Sequence, residues 1–316
     1  ELIAINEKIG VAKNGEYLVA EYIDFIVDTF KSSILKNVKD DFKVLIDTAN
    51  GATYKIADEI FTKLNIPHYV INNTPDGINI NKNCGSTHLD MLKEQVVEKG
   101  YTLGIAYDGD GDRCLVIDSS GRVIDGDILL AIFSSYLKEN GKLNKDTLVA
   151  TVMSNLGLSN YAKENELNLI KTKVGDRYVL EEMLKNGYNI GGEQSGHIIF
   201  LDYNPTGDGI LTSLMLIQIL LEKNKTLYEM ENIMKVYPQV LVNAKVDNDK
   251  KYDYDKNDVI CKKIKQLEKT FEGNGRVLIR PSGTEPLVRV MIEGENIDFI
   301  TKEAKEVADI IEKELK

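Results

Sequence analysis

Three aspartates at alternate positions, Asp108, Asp110 and Asp112, are separated by glycines and followed at once by Arg113. Glycine tolerates the tight, positive-φ backbone that turns alternate side chains toward one point. Carboxylates gathered this closely repel one another unless a cation lies between them, and hard oxygen donors of this kind suit Mg²⁺. A solvated acidic turn is the plain alternative. An EF-hand does not fit, because its sixth and twelfth loop positions call for Gly and Glu, and here they hold Arg113 and Ser119.

Two further polar runs carry complementary chemistry. The stretch from Gly191 to His197 offers a carboxylate, an amide and a hydroxyl on Glu193, Gln194 and Ser195, between two apolar segments. Sugar hydroxyls need that mixture of donors and acceptors, although Gly-rich polar turns are common for other reasons. The run Arg280-Pro281-Ser282-Gly283-Thr284-Glu285-Pro286, with Arg289 beyond it, supplies guanidinium groups, hydroxyls and backbone amides. Arginine forks match phosphate oxygens, and successive amides form a neutral anion nest. A turn with a surface arginine is the competing reading.

Lys173 and Arg177 could meet a sugar phosphate, but isolated cations are usually solvated. The three histidines, His68, His88 and His197, show no metal-ligand spacing, and His197 matters only for its place beside Ser195. The sequence has no G-x-S-x-G elbow, Walker A loop or G-x-G-x-x-G fingerprint, which counts against hydrolase, NTPase and dehydrogenase readings.

The elements that must hold these runs follow from periodicity. A chain of 316 residues, 43% apolar and 28% charged, is long enough for two or three domains. Its net charge of -11 works against nucleic acid and anionic membranes as partners, so a phosphorylated substrate needs a local basic cluster. Three cysteines without a CxxC spacing fit a reducing cytoplasm. The longest apolar helical stretch, Ile210 to Leu221, is too short to span a bilayer. The chain opens at Glu1 in a helical pattern with no Met and no signal peptide, which leads us to expect a segment upstream.

From Phe42 onward strand and helix alternate. A strand at 44–46, a helix at 52–64, a strand at 69–71 and a helix at 89–99 lead to a strand at 102–107 that runs straight into Asp108. A hairpin with its turn at Ser119-Ser120-Gly121 follows. A second unit repeats the pattern, with a helix from Asp127, a strand at 148–152 and a long helix from about Gly209. After Tyr237-Pro238 the pattern changes to strands at 240–246, 277–279 and 287–292, with helices at 256–271 and 297–315. The expectation is an α/β chain: two similar doubly wound α/β domains, 1–124 and 125–236, and a smaller α+β domain, 237–316. Doubly wound sheets place ligands beyond the carboxyl ends of their strands.

The three runs in this order, Asp108 to Arg113, Gly192 to His197 and Arg280 to Pro286, resemble the α-D-phosphohexomutase family. The similarity spans essentially the whole chain. It implies that Asp108, Asp110 and Asp112 bind Mg²⁺ and that Arg113 lies against a phosphoserine. Lys173, Arg177, Glu193, Gln194, Ser195 and His197 would meet the sugar phosphate, while Arg280, Ser282, Gly283, Thr284 and Arg289 would clamp the non-reacting phosphate. Gln194 and the segment from Pro75 to His88 are similar to family members that act on glucosamine phosphates. The family's Ser-His-Asn-Pro-like loop is missing, and Ser154-Asn155 is only an echo, read as a strand-end turn. The chain then resembles the second, third and fourth of four domains and is expected to be inactive alone. Kept open beside this are a phosphomannomutase or phosphoglucomutase, a phosphosugar-binding module, a phosphatase with Asp108 as nucleophile, and a homodimer.

Overall fold

The computed structural model describes residues 10, 14–34, 37–39, 41–283 and 285–316. The helical opening expected from Glu1 falls on residues 1–9 and 11–13, outside the described residues. The chain divides into two compact units, residues 1–152 with 170–232, and residues 153–169 with 233–316.

The first unit starts with α1 (Glu16–Ile34), whose buried Ile23, Ile26, Phe30 and Ile34 recur at helical spacing and form one apolar stripe. Next come β1 (Val44–Asp47), α2 (Ile56–Lys63), β2 (His68–Ile71), α3 (Asp90–Lys99), β3 (Leu103–Tyr107), β4 (Cys114–Asp118) and β5 (Val123–Ile124). Their five-stranded sheet has the order β2-β1-β3-β4-β5. β1 is parallel to both β2 and β3, whereas β3, β4 and β5 are joined as antiparallel neighbours. β1 and β3 are buried along their whole length, as strands covered on both faces must be.

The helix expected over 52–64 is shorter, because residues 51–55 turn against the aspartate loop instead. The Ala52 N–H donates to the Gly109 carbonyl at 2.8 Å, and a Cβ on Gly51 would lie 2.3 Å from that same oxygen. The close approach holds the loop's backbone and delays the helix by about one turn.

The same unit also holds α4 (Gly126–Glu139), β6 (Thr147–Thr151), most of β7 (Asn168–Thr172), α6 (Asp176–Asn186), β8 (Ile190–Gly192), β9 (Ile198–Phe200), α7 (Gly209–Lys223) and α8 (Leu227–Met230). The sheet order is β7-β6-β8-β9, with β6 parallel to β8 and β9 antiparallel. Both sheets therefore end in an antiparallel hairpin beside a parallel part, and the hairpin connections carry the polar runs. α7 is buried along most of its length. Among the described residues, no helix is long and apolar enough to cross a membrane.

In the second unit, α5 (Leu156–Glu164) begins at Asn155, whose side chain caps it by accepting from Gly157 N at 2.9 Å. Ser154 just before it is fully buried. A three-stranded antiparallel sheet, β10 (Gln239–Lys245), β12 (Leu287–Gly294) and β11 (Gly275–Pro281), lies in the order β10-β12-β11 beside α9 (Asp258–Phe271) and α10 (Ile297–Glu314). Ile300, Ala304, Val307, Ala308 and Ile311 form the buried stripe of α10 and share a core with Val288, Val290 and Ile292. Each large aliphatic side chain buried there contributes roughly 1.5–3 kcal/mol.

Candidate active site

The aspartate loop closes the hairpin between β3 and β4, whose last register pair is Tyr107 with Cys114. The Tyr107 hydroxyl shares a 2.7 Å hydrogen bond with Ser213 of α7, so the strand end is anchored in the core. Asp108 is 8% exposed, and its Oδ1 accepts from the amides of Gly111 at 3.1 Å and Arg113 at 3.2 Å. Gly111 has φ +78°, the left-handed conformation that lets the loop curl over its own first carboxylate. Burial, and then the neighbouring Asp112 carboxylate, push the Asp108 carboxyl above its ordinary range.

Asp112 Oδ2 accepts from His197 Nδ1 at 3.0 Å, and its Oδ1 is buried with no hydrogen-bond partner. Asp110 is exposed. Among the described residues, no three of His, Cys, Asp and Glu converge in an arrangement that could hold a metal ion. The Asp108 and Asp112 carboxylates thus act on one another, and Asp110 and Asp112 line one cavity with Gly111. Arg113 presents a buried Nε without a partner, and its backbone forms an antiparallel bridge with His197.

That bridge seats the second polar run on the first. Cys114 N–H donates to the Gly196 carbonyl at 3.0 Å. Gly196 has φ +93°, and a Cβ there would lie 2.4 Å from the Cys114 oxygen. Within the run, Glu193 Oε1 accepts from Gly175 N–H at 3.0 Å, and Ser195 Oγ reaches Glu193 Oε2 at 3.5 Å. Glu193 thus holds the turn between Lys173 and Arg177. Lys173 itself is exposed, and Arg177 is paired with Glu181 at 2.7 Å in solvent.

Gln194 is engaged with the start of α4. Its Nε2 donates to Asp125 Oδ2 at 3.1 Å, and its carbonyl accepts from Gly126 N–H at 3.0 Å. Asp125 is the N-cap of α4, accepting from the amides of Asp127 and Ile128. Burial raises its carboxyl above the ordinary value.

In the second unit, β11 and β12 place Arg280 directly opposite Arg289. Like charges in this relation disfavour the sheet unless an anion sits with them. Burial, and then the Arg289 charge, lower the Arg280 pKa, and Arg289 Nε is buried without a partner. Ser282, 5% exposed, accepts from Glu285 N–H at 3.2 Å and so shapes the turn. Gly283 is exposed. Thr284 lies outside the described residues.

Sequence reasoning passed over Asp125, Asp208, Gly175 and Tyr22. Asp125 was within reach, since Asp before a helix start is the common N-cap signature. Nothing local marks Tyr22, whose partner is 186 residues away.

The profile for phosphoglucomutase/phosphomannomutase, alpha/beta/alpha domain II, matches residues 20–121, that for alpha/beta/alpha domain III residues 125–237, and that for the C-terminal domain residues 241–310. Phosphoglucosamine mutase of Clostridium tetani is 54% identical over 310 residues, covering 98% of this chain and 68% of the relative. That of Caldicellulosiruptor bescii is 54% identical over 298 residues, 94% of this chain and 66% of the relative. This chain thus spans about two thirds of their length. Among solved structures, Aspergillus fumigatus N-acetylphosphoglucosamine mutase in complex with GlcNAc-6P and magnesium superposes with a TM-score of 0.74 at 20% identity, over 92% of this chain and 69% of the other. A phosphoglucomutase/phosphomannomutase family protein of Burkholderia thailandensis gives 0.72 at 21% identity, over 92% and 65%. At such identity these two structures speak for the fold alone. The chain belongs to the phosphoglucomutase/phosphomannomutase family, the α-D-phosphohexomutases.

Proposed function

We propose that this chain supplies the metal loop, the sugar loop and the phosphate clamp of a phosphoglucosamine mutase, which interconverts glucosamine 6-phosphate and glucosamine 1-phosphate on the way to UDP-N-acetylglucosamine. The reaction belongs to the protein in which these residues are joined to the remaining third of the relatives' length. On this reading residues 1–124, 125–236 and 237–316 are three successive domains, each contributing one loop. The observation that supports it most directly is the hydrogen bond from His197 to Asp112, which ties the loop suited to sugar hydroxyls to the loop suited to a cation.

The donor set fits Mg²⁺ at Asp108 and Asp112. Two facing carboxylates with a buried, unpartnered Asp112 Oδ1 are disfavoured alone and relieved by a cation. Asp110 would join them by a change in its side chain. When bound, such an ion polarises a transferring phosphoryl group and offsets its developing charge.

Around that centre, each residue of this chain has a task its chemistry permits. Arg113, with an unpartnered Nε, would hold the phosphoryl donor's oxygens. Glu193 and Ser195 would accept from and donate to sugar hydroxyls, with Lys173 and Arg177 near the anionic end. Arg280, Ser282, Gly283, Thr284 and Arg289 would grip the phosphate that does not react. A clamp that reads a phosphate and not a particular carbon serves the bisphosphate intermediate in either orientation.

The experiment is calorimetric titration of this chain with glucosamine 6-phosphate, beside inorganic phosphate and glucose 6-phosphate. Binding of the amino sugar that Arg280→Gln removes is expected. No heat with any of the three at millimolar concentration would count against the reading.

A further inference from the structure

α1 reaches the metal loop through a run of hydrogen bonds that starts at Tyr22. The Tyr22 hydroxyl lies 3.0 Å from each carboxylate oxygen of Asp208. Asp208, 6% exposed, caps α7 by accepting from Leu211 N at 2.9 Å and also accepts from Asn204 Nδ2 at 3.3 Å. The residue before it, Gly207, donates its N–H to Nε2 of His197 at 3.1 Å. A backbone N–H only donates, so Nε2 is the acceptor and the imidazole proton sits on Nδ1. That proton is the one His197 gives to Asp112 Oδ2. Beside this run, Gly209 N–H donates to the Gly111 carbonyl at 2.9 Å. A Cβ on Gly207 would fall 2.5 Å from the His197 ring, so the loop lies flat against the imidazole.

We propose that Tyr22 is a positioning residue for the metal loop: by holding Asp208 it seats Gly207 on His197, and so fixes the tautomer and orientation with which His197 grips Asp112. The geometry stands by itself, and only its consequence for cation binding rests on the function proposed above. Without the hydroxyl, Asp208 still caps α7 but loses its tie to α1, and the 204–208 loop is free to shift. His197 then loses its Nε2 donor, and either nitrogen can carry the proton. Outer-shell partners of ligating carboxylates commonly alter metal affinity by 10–100-fold. Tyr22 acts two contacts further out, so a smaller change of about three- to tenfold is expected.

The test is Tyr22→Phe in this chain, read by long-range ¹⁵N–¹H correlation of the imidazoles and by Mn²⁺ titration followed by electron paramagnetic resonance. With only three histidines in the sequence, the His197 signals can be assigned by one further variant. The parent should show a single Nδ1-protonated tautomer for His197. Tyr22→Phe should show a mixture and bind Mn²⁺ more weakly by the factor above. A Tyr22→Phe protein with a lower melting temperature but unchanged His197 signals and Mn²⁺ affinity would overturn the proposal, because Tyr22 would then be structural only. Should that variant not fold, Asp208→Ser keeps a cap on a side chain too short to hold the Tyr22 hydroxyl, and decides by the same two readings. Failure of the parent to bind Mn²⁺ would sink the metal reading of function, and the imidazole signals alone would then decide the role of Tyr22.

Discussion

Arg280 on β11 and Arg289 on β12 are direct partners in an antiparallel ladder, the Arg289 charge bears on the Arg280 guanidinium, and the nearest carboxylate, Glu285, lies 3.6 Å from Arg289 Nη2. The sheet gains nothing from this pairing, and a phosphate held between the two arginines turns the repulsion into attraction. Arg289→Gln is expected to leave the melting temperature of the ligand-free chain unchanged or slightly raised. The same variant should weaken glucosamine 6-phosphate binding by about tenfold or more, about 1.4 kcal/mol. A large loss of stability in the absence of ligand would instead mark Arg289 as structural.

Asp108 and Asp112 set up a second reversal of order. Their mutual repulsion should make Asp108→Asn more stable than the parent in chelator. In saturating Mg²⁺ the parent should gain about 2.7 kcal/mol when the ion exceeds its Kd a hundredfold, and the variant should gain little. Thermal melts with and without Mg²⁺ check this, and parallel shifts of the two proteins would refute it.

Gln194 is predicted to act on the sugar loop through Asp125. A hydrogen bond to a charged group contributes about 1.5–3 kcal/mol, so Gln194→Ala should lower the unfolding free energy by roughly that amount in urea titrations. Gln194→Glu should cost more above the carboxylate range than below it, because it sets a second carboxylate against Asp125. Loss of sugar-phosphate affinity with unchanged stability would instead mark Gln194 as a direct ligand.

Asp125 gives a pH dependence of known sign. Burial raises its pKa above the ordinary 3.8, so the folded chain holds this proton more tightly than the unfolded chain. Between the ordinary and the raised value the folded state binds more protons, and this group's contribution to stability falls as pH rises through that window. Asp125→Asn keeps an N-cap, and the Gln194 amide can turn to offer its oxygen. Relative to the parent, the variant should fare better at about pH 7 than at about pH 4. An unchanged difference at the two pH values would contradict this.

How much of this was legible in the sequence depended on how local each signal was. The aspartate run betrayed itself because glycine between carboxylates is a backbone statement, and Gly111 at φ +78° is its outcome. The strand leading into Asp108 and the hairpin after it followed from apolar runs and turn residues. The start of α2 did not, since residues 51–55 have helical composition but are claimed by Gly109 through a tertiary contact. The contact of Gln194 with Asp125 was not legible either, because only the fold brings residues 69 positions apart together. Tyr22 and Asp208 are invisible for the same reason, as each looks ordinary until α1 lies against the start of α7.

The most direct test is ³¹P NMR of glucosamine 6-phosphate with Mg²⁺ and the protein that carries these residues together with the remaining third of its relatives' length. The account predicts a growing glucosamine 1-phosphate resonance that Asp108→Asn abolishes and that this chain alone does not produce. Turnover of mannose or glucose phosphates with none of glucosamine phosphate would contradict the assignment.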